Sequence, residues 1–89
     1  MRAVITVIGK DTVGIIAQVS GLLWNHKINV LDVTQNVMEE LFAMIMVADI
    51  SGSDADFSAL SDELTALGEK LGLVIHIMRE DIFNTMHKI

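Results

Sequence analysis

Two hydrophobic periods alternate along this chain, and their order limits the fold more than any other feature. Residues 3–8 (Ala-Val-Ile-Thr-Val-Ile) are short and β-branched, which predicts a strand apolar on both faces. After the break at Gly9-Lys10-Asp11-Thr12 the period lengthens. Ile16, Val19 and Leu23, with Ile15 and Leu22 alongside, make a helical stripe beginning near Val13. Asp11 or Thr12 is placed to cap that helix, and His26, Lys27 and Asn29 close it, where cations suit the negative end of its dipole. Residues 30–37 then alternate, Leu31, Val33 and Val37 against Asp32, Thr34 and Asn36, as a half-exposed strand does. The polar pair Glu39-Glu40 turns the chain into 41–48, an almost wholly apolar strand, so the two form a hairpin.

A polar loop at 49–56 ends in Ser53 and Asp56, spaced as in a capping box. Beyond it Phe57, Leu60, Leu64, Leu67 and Leu71 recur at helical spacing, and Gly72 stops that helix as a C-terminal cap. Residues 73–78 are a fourth strand. Glu80 to Met86 read as a short amphipathic helix with Ile82, Phe83 and Met86 on its apolar side.

The order is therefore β-α-β-β-α-β with a tail helix, the ferredoxin-like α+β sandwich. Right-handed crossovers put strands 1 and 3 in the centre, strands 2 and 4 at the edges, and both helices on one face. The least polar strands fall in the centre and the alternating one at an edge, as that layout requires. At 89 residues there is material for one core only. The other face of the sheet poses a problem. It exposes Met44 and Met46, or their neighbours of opposite parity, unless the tail helix, a second copy, or both cover it. A helix of about two turns shields little of four strands, which favours both. The chain is 52% hydrophobic and only 20% charged, which also points to apolar surface shared with another copy.

Composition excludes several kinds of chemistry. With no cysteine there are no disulfides, thiol nucleophiles or thiolate metal sites. His26, His76 and His87 share no metal-ligand spacing, so neither a metal nor a cofactor is expected. His76 belongs on the open sheet face or in an interface. Trp24 is expected to pack part of its ring on the first helix. The net charge is −6, and Arg2, Lys10, Lys27, Lys70, Arg79 and Lys88 are scattered, which argues against nucleic acid and anionic membranes as partners. The apolar run at 3–8 is too short for a signal, and no run nears the roughly 20 residues that span a bilayer, so a cytoplasmic protein is expected.

Function has to be sought in the loops, because many activities share this fold. Gly9-Lys10-Asp11-Thr12-Val13-Gly14-Ile15-Ile16 resembles the signature of ACT domains, in which a strand ends in a charged pair and a glycine with a branched aliphatic residue opens the helix. Ile28-Asn29-Val30 stands where ACT domains carry an Asn followed by an aliphatic residue. Phe42-Ala43-Met44-Ile45-Met46-Val47 stands where they carry an apolar third strand. The resemblance implies an ACT domain over 1–79 and a helical tail over 80–89, similar to the small stand-alone ACT proteins of prokaryotes. It further implies a regulatory, non-catalytic homo-oligomer that binds a small amino acid-like ligand. The ligand would sit between this loop of one subunit and the start of strand 2 of a neighbour, touching Asp11, Gly14, Ile15, Asn29 and Val30.

Elementary chemistry agrees with such a site. A glycine at a helix start leaves the free N–H groups open to a carboxylate, which the helix dipole also favours. Asp11 is suited to neutralise an ammonium, and Asn29 offers a donor and an acceptor. Each residue also has a structural reading: Gly14 for close helix–strand packing, Asp11 as a cap, Asn29 as a turn. Enzymes and carriers of this fold lack support. An acylphosphatase needs an arginine in the first loop, which has only Lys10. A metal chaperone needs cysteines there, and RNA binding needs aromatic residues on the central strands, where Phe42 stands alone. The rival reading is an interaction protein, an accessory subunit of a metabolic enzyme that takes no ligand.

Overall fold

The two least polar runs of the sequence become the two central strands. The computed structural model describes residues 2–10, 14–53 and 56–86. The elements are β1 (Arg2–Lys10), α1 (Ile15–Asn25), β2 (Asn29–Met38), β3 (Leu41–Asp49), α2 (Phe57–Leu71), β4 (Val74–Arg79) and α3 (Glu80–Met86). The strands make one sheet in the order β2-β3-β1-β4, every neighbouring pair antiparallel. This is the ferredoxin-like βαββαβ sandwich. Among the described residues no helix is long and apolar enough to cross a membrane.

Side-chain parity decides which face of each strand meets the helices. Ile5 stands opposite Met46 and Ile77, and Val7 opposite Met44 and Ile75. These residues join Val19 and Leu23 of α1 and Leu60 and Leu64 of α2 in one hydrophobic cluster. Met44 and Met46 are fully buried there, so the open face carries their neighbours of opposite parity, Leu41 and Ile45, which remain exposed. Across that face run the rows Asn36–Ala43–Ile8–Val74 and Thr34–Ile45–Thr6–His76, which puts His76 on the open side. Helix α3 packs on β1 and β4, and Phe83 lines a cleft of about 220 Å³ with Val4, Thr6, Ile8, His76 and Met78. The tail helix thus covers part of the face and leaves the β2–β3 half open. Ile82 is exposed, and the side chain of Met86 and all of His87 lie outside the described residues.

Several local expectations are corrected. Helix α1 runs from Ile15 with Gly14 as its N-cap, and among the described residues no side chain caps it; the cap candidates Asp11 and Thr12, and Val13, lie outside the described residues. Its buried stripe is Ile15, Val19 and Leu23, while Ile16 is exposed. Trp24, expected to be partly packed, is 78% exposed because it lies off that stripe. The cap of α2 is Asp56, whose Oδ1 accepts from the Ala59 N–H at 2.7 Å, so Ser53 is not the capping residue. Gly72 does end α2, with a left-handed φ of 73°. On β2 a bulge between Val30 and Asp32 takes Leu31 out of the ladder, and Val30 rather than Leu31 continues the row of Val33 and Val37. Val33 and Val37 are nonetheless exposed, because the helix layer stops short of this edge strand.

Candidate ligand-binding site

Gly14 is the N-cap of α1 with φ 86°, in the left-handed region that a glycine enters without steric cost. The close-packing reading of this glycine fails. Among the described residues a Cβ built on it meets nothing nearer than the Gln18 amide nitrogen at 3.9 Å, so the backbone angle, not crowding by them, calls for glycine. The first helical bond runs from the Gln18 N–H to the Gly14 carbonyl at 3.0 Å. The N–H groups of Ile15, Ile16 and Ala17 precede it, and they have no partner within the helix. Ile15 itself is 3% exposed and belongs to the core cluster. Its contribution to a site is therefore its N–H, with the side chain serving as an anchor for the helix start. Asp11, Thr12 and Val13 lie outside the described residues.

The other half of the expected site is built where α1 hands over to β2. The Ile28 N–H donates to the Leu23 carbonyl at 3.0 Å and the Lys27 N–H to that of Trp24 at 2.9 Å. This is the Schellman closure, with Leu23 and Ile28 both buried as its hydrophobic contact. Lys27 occupies the left-handed position with φ 60°, where glycine is usual. Asn29 emerges exposed and Val30 half-buried against the core. Trp24, Lys27, Ile28 and Asn29 line an open cleft of about 250 Å³. Sequence reasoning missed Trp24 and Lys27 as lining residues. The available signal was a large aromatic one position beyond Leu23, outside the apolar stripe, beside the only cation of the turn.

These two halves do not meet within one chain. Gly14 follows the Lys10 end of β1, where Lys10 pairs with Leu41. Asn29 pairs with Asp49, which pairs with Arg2 at the opposite end of the sheet. The 11 residues of α1 separate the halves by about 16 Å of helical rise. Gly14 and Ile15 thus sit together, Asn29 and Val30 sit together, and one chain cannot close a single small ligand between them.

Elsewhere, His26 is tied to α2 by its Nε2, 2.6 Å from Glu63 Oε2. Among the described residues no three His, Cys, Asp or Glu side chains gather as metal ligands would. Arg2 pairs with Glu80 at 3.2 Å and Arg79 with Asp81 at 3.1 Å, fastening α3 to the Asn29 end of the sheet.

Comparison with known proteins places this geometry in a family. The model of the ACT domain matches residues 2–78. A UPF0237 protein of Listeria innocua is 53% identical over 89 residues, covering all of both chains. A UPF0237 protein of the archaeon Methanocaldococcus jannaschii is 47% identical over 88 residues, 99% of this chain and 98% of the other. Among solved structures, an ACT domain protein from Streptococcus pneumoniae superposes with a TM-score of 0.82 at 41% identity, covering 93% of each chain.

Proposed function

We propose that this chain, which belongs to the ACT domain family, is a non-catalytic regulatory module that binds a small amino acid between two copies of itself. The observation that carries the proposal is the separation of the half-sites. Gly14 with the N–H groups of Ile15, Ile16 and Ala17, which have no partner within the helix, is suited to a carboxylate, and Asn29 to an ammonium or amide. They stand at opposite ends of one chain, so a second copy must bring Asn29 and Val30 of its β2 to the Gly14 loop of the first. Asp11, beside that loop in sequence, supplies the carboxylate for the ligand's ammonium.

The exposed face supports the same assembly. Beyond α3 the open face leaves Met38, Leu41 and Ile45 exposed, and on the opposite side of the sheet the edge strand β2 leaves Val33 and Val37 exposed as well. Apolar surface of this kind on so small a domain is more stable buried against another copy. A cytoplasmic homo-oligomer that passes its ligand state to a metabolic enzyme fits these features.

Thermal unfolding in the presence of each of the twenty amino acids tests the reading. One or more should raise Tm in a concentration-dependent way, and Gly14→Asn should remove the shift while staying folded, since Asn tolerates the left-handed region. No stabilisation by any amino acid would favour the ligand-free accessory subunit instead.

A further inference from the structure

We infer that the open face of the sheet is a second interface between copies of this chain, in which two α3 helices lie side by side and each covers the β2–β3 half of the other copy's sheet. The inference goes beyond the ligand reading above, because the copy that shares a ligand is not the copy that covers this face. The homo-oligomer then has two kinds of contact and four chains.

The layers keep one partner from serving both purposes. Gly14 and Asn29 flank α1, which packs with α2 on one side of the sheet, and the open face is on the other. Two copies joined through their open faces carry their α1 helices on the outside. At about 10 Å per layer those helices are about 30–40 Å apart, too far for one small ligand to touch both. Val33 and Val37, on the helix side of β2, are within reach of the ligand-sharing copy. The open face needs a different one.

Dimensions name the occupant. Four strands spaced by about 4.8 Å make a sheet about 19 Å wide, and a helix with its side chains is about 10 Å across. One α3 therefore covers half of the width. It packs on β1 and β4, with Phe83 against Val4, Thr6 and Ile8. The uncovered half is as wide as one more helix. A two-fold axis parallel to the strands, midway between β3 and β1, lays β4 of one copy over β2 of the other. Each α3 then meets the uncovered half opposite, and the contact closes on itself.

Both surfaces have the chemistry for it. The rows Asn36–Ala43–Ile8–Val74 and Thr34–Ile45–Thr6–His76 hold no lysine, arginine or carboxylate, in a chain that is 20% charged. On α3, Glu80 and Asp81 are paired with Arg2 and Arg79 at the end of the sheet, and the Thr85 hydroxyl donates to the Asp81 carbonyl at 2.9 Å. Ile82 remains as an exposed apolar contact on the helix. Ile8, Met38, Leu41, Ile45, Val74 and Ile82 are all near half-exposed. At about 100 Å² for a fully exposed aliphatic side chain, they leave about 300 Å² of apolar surface on each copy. Interfaces are about 57% apolar, so two copies bury about 1,000 Å² in total, enough for a small but specific contact.

Light scattering on the intact protein at high concentration should give the mass of four chains. Ile45→Lys charges the uncovered half of the sheet, and Ile82→Lys charges the helix that covers it. Both side chains are exposed, so each variant should stay folded, fall to half the mass, and keep the Tm shift that amino acids produce. An unchanged mass in both variants, whether of two chains or four, overturns this interface and leaves the shared-ligand reading standing. Loss of mass with Ile45→Lys alone overturns α3 as the occupant. Two chains in the wild type and one in both variants keep the α3 contact and remove the ligand-sharing pair. A single chain in all three proteins overturns both readings.

Discussion

At Gly14, Lys27 and Glu39 the backbone enters the left-handed region, and only the first is a glycine. Gly14 was legible as an important residue, but of the two reasons the sequence suggested, access to the helix start and tight packing on the first strand, neither is the left-handed φ of 86° that the backbone takes there. Nothing in a one-dimensional pattern distinguishes a glycine kept for its φ from one kept for its missing Cβ. Gly68 is the crowded kind: a Cβ there would come within 2.8 Å of the Leu73 carbonyl oxygen. Glu39 has no such role in the candidate site. It opens the two-residue turn between Met38 and Leu41 at φ 54°, beside a second glutamate. Replacing it with glycine relieves both the backbone strain and the like-charge neighbour. Glu39→Gly is expected to stabilise the fold by about 0.5–1 kcal/mol, read from the urea midpoint at unchanged slope. A loss of stability would mean that the turn draws on the Glu39 side chain.

Elements were easier to place than their ends. The stripe Leu60, Leu64, Leu67 and Leu71 located α2 because burial on one helix face imposes the spacing regardless of context. The start of the helix was misread by one candidate, since both Ser53 and Asp56 are good caps and only the three-dimensional path selects between them. Asp56 accepts the Ala59 N–H at 2.7 Å, so Asp56→Ala should cost about 1 kcal/mol of stability in chemical denaturation. An unchanged midpoint would show that the cap is dispensable. The bulge in β2 was invisible for a related reason. Leu31, Val33 and Val37 alternate correctly with the polar residues, and an extra residue in a ladder leaves no trace in the alternation. It is also close to the candidate site, two residues from Asn29, where it turns the start of the edge strand.

For the molecule as a whole, strand order and helix placement followed from crossover handedness and from which strands lack polar residues. The sheet has its helices on one face and a short third helix on part of the other, as the excess of apolar residues required. The candidate site was only half legible. The residues of the β1–α1 loop and of the β2 start, and their placement on two different subunits, were named from resemblance, and the fold adds the distance between them along α1. Trp24 was expected to pack on the first helix and Lys27 to close it, and their place beside a cleft became visible only with the fold.

That separation gives the most direct test of the central claim, that two copies share each ligand. Two variants are prepared, Gly14→Asn, which spoils one half-site, and Asn29→Ala, which spoils the other. Each alone should bind no amino acid, because every interfacial site in its dimer contains one damaged half. Unfolding and refolding the two together forms mixed dimers, in which one site pairs the intact Gly14 loop of one copy with the intact Asn29 of the other. Calorimetric titration of the mixture should then recover part of the wild-type binding capacity at wild-type affinity. If the refolded mixture binds no better than the separate variants, although mixed dimers have formed, the two halves do not build one site and the account is wrong.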